Sequence, residues 1–551
     1  MALRPAGTAR WHAWRARPGP LRGGGVVGPR LCVQAPRLGR LRFCAPLCVL
    51  FAPGCSKAAA PVSGGAAMFD PIHSAHAGLC RRPLQACFAA VLTLGMPTAT
   101  LAATLWTVDS CSEANSGSGS SGSLRYAAAN AVSGDTIDMT ALTCSSITLS
   151  SGAIVFGQDD ITVKGPGKAA LTVHGSDDRV FRHDGHGAFA LNDLTVAHGY
   201  VHPSLGAEAN GGCISSNGKV YLTRVGVNAC RAAAVGAAAH GGGVYGRDMV
   251  FAKYSDISAN VASGSGISSG GGGVFSYHDI VVGSSTISGN SAQGSSGGMG
   301  GGLRALLGNT TVVASTISGN FANFGGGIYA RSGATSQSST FTLVNSTVSG
   351  NVAGSVVGGA WTNAGTIEVK NSTVAFNTAG SAKNGFRYYA AGFNIDDTFA
   401  FYTDINHFAF KVTTLQSSVF SNNTSGTTTP VADDFGITRF SNWELVPISG
   451  EKSLVFGMAN PWLALNIDVA TTGVCPLLGP LRANGGPTRT HALLAGSPAI
   501  DHGNNTVPFA TDQRGTPFVR VWGVAADIGA YEVQPDDALF SDGFDGPPTC
   551  P

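Results

Sequence analysis

Two groups of side chains in this sequence have the composition to do chemistry. The first lies between residues 386 and 411. There Phe386, Tyr388, Tyr389, Phe393, Phe399, Phe401, Tyr402, Phe408 and Phe410 are interleaved with Arg387, Asp396, Asp397, Asp404, His407 and Lys411. Aromatic faces stack on sugar rings, and closely spaced carboxylates hold calcium. The catalytic candidates are therefore Asp396, Asp397, Asp404, Arg387 and Lys411, and the ligand-stacking candidates Tyr388, Tyr389, Phe401 and Tyr402. The plainer reading packs the rings of an insertion against the body of the protein and leaves the charges in water. The second group is Asp501, Asp512, Arg514, Asp527 and Glu532. Carboxylates around one arginine can bind metal or move protons, but these sit among Gly and Pro turns, where charges pair to fix a structural cap.

Little else in the chain is reactive by type. His174, His183, His186, His198 and His240 occur singly, and Asp256 and Asp279 are isolated. No glycine-rich phosphate loop with its lysine occurs, and no cysteine has zinc-finger spacing, so no metal site is expected.

The elements that must position these groups come from a repeat. A hexapeptide recurs as TRVGVN ending at Asn228, SDISAN at Asn260, STISGN at Asn290 and Asn320, STVSGN at Asn351, STVAFN at Asn377 and SSVFSN at Asn422, at intervals of 32, 30, 30, 31, 26 and 45. Glycine-rich runs precede the units: Gly241-Gly242-Gly243-Val244-Tyr245, Gly271-Gly272-Gly273-Val274-Phe275, Gly300-Gly301-Gly302-Leu303, Gly325-Gly326-Gly327-Ile328-Tyr329 and Gly358-Gly359-Ala360-Trp361. A period near 30 marks a solenoid. Gly, Ser, Thr, Val and Ile make poor helices, whereas three short strands per unit fit the alternation. The expectation is an all-β, single-stranded right-handed parallel β-helix of about eleven coils, with like residues stacked about 4.8 Å apart. The recurring asparagine is placed at a turn, its amide bonding to the amide one coil on. Gly122-Ser123-Leu124-Arg125 opens a short helical N-terminal cap with Leu124, Ala128, Ala131 and Val132 on one face. The 45-residue interval is a coil carrying about 15 extra residues, as Gly392-Phe393 keeps the glycine slot.

Glycine numbers 77 of 551 residues and charged residues are 12% of the chain, which excludes coiled coils and charged disordered tails. Residues 1 to 67 are basic and aperiodic and read as an over-read or disordered leader. Arg81 and Arg82, the apolar run Leu84 to Leu94 and the small residues to Ala103 have the layout of a signal peptide over 68–103. Without residues 1 to 102 the formal charge of +2 becomes −9, which removes the compositional support for a nucleic-acid partner. Six cysteines then remain, an even number suited to an oxidising compartment. Sequence-local pairing gives Cys111 with Cys144 and Cys213 with Cys230, leaving Cys475 with Cys550.

The C-terminal text is the most specific. Leu478-Gly479-Pro480-Leu481, Asn484-Gly485-Gly486-Pro487-Thr488, Gly496-Ser497-Pro498-Ala499-Ile500-Asp501, Thr511-Asp512-Gln513-Arg514-Gly515 and Asp527-Ile528-Gly529-Ala530-Tyr531-Glu532 resemble the choice-of-anchor Q domain of exported bacterial proteins. The opening from Cys111 to Cys144 is similar to the start of β-helix proteins of the pectin-lyase-like superfamily, including the group labelled CSLREA. The hexapeptides resemble polymorphic outer-membrane repeats. The resemblance implies an exported, surface-associated or secreted β-helix. Lyases of that superfamily abstract a sugar proton with Lys or Arg beside carboxylate-held calcium, yet no coil-spaced acidic pair stands out in the repeats.

The resulting expectation is a β-helix over 104–440, a choice-of-anchor Q-like, irregular cap domain over 441–533 and a flexible tail over 534–551. Its function is expected to be that of a monomeric, non-catalytic adhesion or polysaccharide-contact scaffold at a cell-envelope surface or in secretion, without cofactor and without a membrane span in the mature chain. The alternative is a carbohydrate-active enzyme, a calcium-dependent polysaccharide lyase or glycoside hydrolase, with its site near 386–411.

Overall fold

A computed structural model describes residues 103–266, 269–295, 297–331, 339–381, 383–384, 387–396, 412–438, 448–458, 470–505, 509–535, 537 and 550. The leader and signal-peptide expectations, residues 1–67 and 68–103, lie outside these apart from Ala103.

The chain winds as a right-handed parallel β-helix of about nine turns, fewer than the eleven expected. One coil shows the plan. Val244–Gly246, Met249–Lys253, Asp256–Ser258 and Val261–Gly264 are followed, 30 residues on, by Val274–Ser276, Asp279–Gly283, Thr286–Ser288 and Ser291–Gly294. Each strand pairs in parallel with its successor, as in Val244 with Val274, Ile257 with Ile287 and Ala262 with Ala292. Three long sheets result: a composite one with two strands per coil, one of ten strands and one of nine. Alternation points Val250, Ala252, Ile257, Val274, Ile280 and Ile287 inward, where like stacks on like in a continuous core. Burial of each such Val or Ile stabilises by about 1.5–3 kcal/mol.

Tight corners are made by single residues with left-handed backbone. Tyr254, Ser284, Ala314, Asn345, Asn371 and Ser417 hold φ of 45° to 54° between the two strands of the composite sheet, and Ala229, Ala259, Gly289, Gly319, Gly350, Phe376 and Asn422 hold 53° to 63° at the next corner. Immediately beyond that second corner runs the asparagine ladder. Asn260, Asn290, Asn320, Asn351, Asn377 and Asn423 each donate backbone N–H and Nδ2–H to the next side-chain acceptor one coil on, at 2.7–3.0 Å. Each Nδ2 also donates to a carbonyl of the preceding coil, Asn290 to Ile257 for example. The expected amide-to-amide bonding is present, with two shifts of position. Asn228 pairs with Ser258 and lies outside the ladder, its place taken by Cys230, whose N–H donates to Asn260. At the far end the ladder residue is Asn423, while Asn422 occupies the corner. Serines 255, 285, 315, 346, 372, 418 and 453 form a second ladder, each backbone N–H donating to the next hydroxyl.

The register that pairs Val419 with Leu454 puts Met458 at the ladder's next position. Asp434 fills in for it, its Oδ1 accepting both donors of Asn423 and its Oδ2 accepting from Gly457 N–H. Burial pushes this carboxyl up to about 6 against the pull of those donors.

At the front, Ser123 caps the helix Leu124–Asn130, whose Leu124, Ala127 and Ala128 are buried. The helix ends before Val132, which is exposed rather than on the buried face. Arg125 ties the helix to the carbonyls of Gly152 and Ala153 and to Glu113. Disulfides join Cys111 to Cys144, Cys213 to Cys230 and Cys475 to Cys550.

The column runs past residue 440, adding Ile448–Glu451, Ser453–Val455 and Ala470–Thr472 in parallel register. The residues that follow do not sit as a cap across its end. They form a lobe along the flank. Leu478, Leu493, Ala499, Ile528 and Tyr531 of the lobe pack on Ala375, Val419 and Leu454 of the column. Among the described residues no helix is long and apolar enough to cross a membrane.

Two outcomes follow from the ladder. Asn320→Ala strands the two donors of Asn290 and removes one donor each from Asn351 Oδ1 and Ile287 O in a dry interior, and should cost about 3 kcal/mol, read from denaturant unfolding. Because Asp434 binds its proton more tightly folded than unfolded, its stabilising effect is fullest below about pH 4 and declines as pH rises through about 6. Asp434→Asn should remove that part of the pH slope of the unfolding midpoint between those limits.

Candidate functional site

The ten-stranded sheet is built from three- and four-residue strands whose second residue points away from the core. In successive coils these are Tyr245, Phe275, Arg304, Tyr329, Trp361 and Asn394, each the Cα partner of the next. The strands begin after the glycine runs because the backbones of neighbouring coils nearly touch there. A Cβ on Gly273 would meet Gly302 O at 2.8 Å and the Asn290 amide at 3.0 Å.

The outward residues make one stacked row. Tyr245 and Phe275 are parallel at 5.6 Å, the Arg304 guanidinium lies 5.4 Å from the Phe275 ring centre and 5.9 Å from that of Tyr329, and Tyr329 meets Trp361 edge-on at 4.7 Å. His240 packs on Phe275 at 4.4 Å, and Tyr277 stands edge-on to it at 5.3 Å. Arg304 crosses Gly270, where a Cβ would lie 2.5 Å from its Cδ and 2.7 Å from its Nη1. Burial pushes the Arg304 guanidinium down to about 10, and burial together with Arg304 pushes His240 down to about 3, leaving it neutral. Burial also pushes the Tyr245 hydroxyl up to about 12. The middle of the row is sealed, with Phe275 at 0% and Arg304 at 3% exposure. It opens at its Trp361 end, where Trp361 and Phe324 are half-buried with rings 6.1 Å apart.

Two of the sequence candidates reach this end. Tyr389 packs edge-on against Trp361 at 5.4 Å and is buried beside Val356 and Val357, so its ring is part of the wall rather than an open platform. Asp396 closes the strand Phe393–Asp396, is buried, and acts with Arg304 and Arg331 on the Tyr329 hydroxyl, whose acidity burial has already weakened. Arg387 and Tyr388 form a short strand antiparallel to Lys383–Asn384. Asp397, Phe401, Tyr402, Asp404 and Lys411 lie outside the described residues. Sequence reasoning passed over Tyr245, Phe275, Arg304, Tyr329 and Trp361, although the signal stood beside the glycine runs: one large side chain per coil, in the same slot each time.

The second sequence group is brought together in the lobe, with its oxygens taken up by backbone donors. Asp527 accepts from Asp501 N and Val533 N at 2.7 Å each, Glu532 from Trp522 N and Asp527 N, and Asp501 from Val524 N and Ala525 N. Asp512 pairs with Arg514 through Nε and Nη2, and Arg514 lies between the rings of Phe518 and Tyr531 at 3.8 and 3.9 Å. Burial opposes charge on Arg514, but the bonds and charge of Asp512 hold it above its ordinary value. Burial pushes Glu532 up to about 7. Carboxylates committed to so many N–H groups organise the loops of the lobe. Along the column, Asp256 pairs with Lys168, and Asp279 accepts from Asn309. Among the described residues no three His, Cys, Asp or Glu side chains are placed to hold a metal ion.

Gly270→Ala, whose Cβ would meet the Met299 carbonyl of the next coil as well as Arg304, should displace the coil backbone and the Arg304 guanidinium, destabilise the protein by about 1–3 kcal/mol and weaken the near-ultraviolet circular dichroism of the stacked aromatics.

No family model and no curated protein matches the chain. A solved structure titled "Crystal structure of pectate lyase Pel9A" superposes with a TM-score of 0.38 and 14% identity, over 78% of this chain and 98% of that one. The likeness to choice-of-anchor Q domains rests on the sequence segments alone.

Proposed function

We propose that the chain is an exported surface or secreted scaffold that contacts polysaccharide, with the contact centred where the aromatic row opens at Trp361 and Phe324. The observation that carries this reading is the row itself: rings and an arginine stacked over five successive coils and half-open only at one end. A ring face accepts the C–H face of a sugar, and a repeat of one coil suits a polymer laid along the column. The signal-peptide layout over 68–103 and three disulfides support an extracellular setting. The fixed carboxylates of the lobe favour binding over catalysis there.

A second reading, a calcium-dependent lyase drawing on Asp396, Asp397 and Asp404, is favoured by the placement of Asp396 and Arg331 near Tyr329. One experiment separates the two. The purified chain is applied to a plate of acidic and neutral polysaccharides with and without calcium, recording retained protein and unsaturated-product absorbance. Retention without product, weakened about tenfold by Trp361→Ala, is the expected result. Calcium-dependent product lost in an Asp396→Ala, Asp397→Ala double variant would establish the lyase, and retention indifferent to Trp361→Ala would remove the contact site.

A further inference from the structure

We propose that the C-terminal lobe is a clasp on the flank of the column whose hold is released by acid through protonation of His491. The seam between lobe and column is made of neutral groups except at its edge, where the exposed Glu451 of the column accepts from Asn504 Nδ2. Thr316 Oγ1 donates to Arg489 O, Gln513 bridges Thr316 and Thr347, Ala530 N–H donates to Thr373 Oγ1, and Gly529 N–H donates to Ser417 O. The column supplies a row of threonines from consecutive coils, and the lobe reads that row with the Gln513 amide, the Ala530 N–H and the Arg489 carbonyl.

His491 sits inside this seam, 3% exposed. Its Nδ1 is 2.7 Å from Gly479 O and its Nε2 is 2.7 Å from Ser349 Oγ, with Phe376 against the ring at 4.9 Å. A carbonyl only accepts, so Nδ1 carries the hydrogen. Nε2 is then the lone pair, and Ser349 donates to it across the seam. A proton arriving at Nε2 turns that acceptor into a donor and places a cation in a site where, among the described residues, no charged side chain acts on the imidazole. The groups around it confirm the isolation. Its own hairpin carries Arg482 and Arg489, both exposed to solvent, and the column presents Ser349, Ala375 and Phe376. Burial pushes the imidazole down to about 4, with no charged side chain contributing.

The sign follows from linkage. A histidine in water titrates near 6.5, so between that value and about 4 the detached lobe binds a proton that the attached lobe refuses. Each unit of acidification in that window shifts the equilibrium about tenfold toward detachment. The raised carboxyls work elsewhere. Glu532 and Asp527 are buried within the lobe and accept from its own backbone N–H groups, and because burial raises both, their protonation favours the folded lobe as pH falls. Acid therefore loosens the seam while the lobe keeps its shape, joined to the column by the chain after Ala470–Thr472. Detachment bares Ala375, Phe376 and Val419.

Hydrogen exchange of the full chain at about pH 7 and about pH 5, expressed as protection factors, tests this. Gly529 and Ala530 should lose protection tenfold or more at the lower pH, while Asn290 and Asn320 in the column keep theirs. His491→Gln should abolish the acid loss. Ser349→Ala, which leaves the imidazole in place, should weaken the seam at both pH values and retain the acid slope. Unchanged protection of Gly529 and Ala530 at about pH 5, equal loss throughout the column, or an acid loss that persists in His491→Gln would each overturn the proposal.

Discussion

Each coil must offer its successor the same groups at the same height. In a parallel stack every backbone N–H and C=O looks along the column for its partner, and every inward side chain meets its own counterpart. The glycine triplets, the serine hydroxyls and the asparagine amides are the residues that satisfy this condition where the chain turns and side-chain packing alone would leave polar groups unpaired. The left-handed corners follow from it too. A corner residue may be Tyr254, Ala259 or Phe376, because the ladders on either side leave the backbone no other course.

That condition explains how Asn377 and Asn423, 46 positions apart, can occupy neighbouring places in a ladder whose other steps span 26 to 31. The ladder bond across that interval is intact at 2.9 Å, so the longer coil keeps the same groups at the same height. It also explains the lobe. Threonines at one strand position in consecutive coils give a straight line of hydroxyls, and Gln513, Ala530 and the neighbouring backbone are spaced to meet it.

The solenoid was legible in the sequence because repetition writes itself into text. Period, strand content, N-terminal helix and amide ladder could all be read from the hexapeptides and glycine runs. The ladder's two ends could not. Cys230 and Asn423 take ladder positions through hydrogen bonds that a motif ending in Asn228 or Asn422 does not express. The position of the lobe was hidden for a similar reason, since its contacts with Thr316, Thr347 and Ser349 are separated from it by more than 140 residues. The aromatic row was visible beside the glycines, but stacking is a property of a column rather than of any one coil. Attention to the crowded segment 386–411 found Tyr389 and Asp396 at the row's open end and passed over the rings leading to it.

The asparagine ladder is also a directed object. Each side-chain amide turns its oxygen toward the preceding coil and its N–H toward the following one, so six amide dipoles from Asn260 to Asn423 point the same way. Aligned bonds polarise one another, and their electropositive end falls at Asn423. Asp434 stands there. The column thus carries along its corner a fixed electric polarity, terminated by a carboxylate much as the first turn of an α-helix is, although the corner is built between strands.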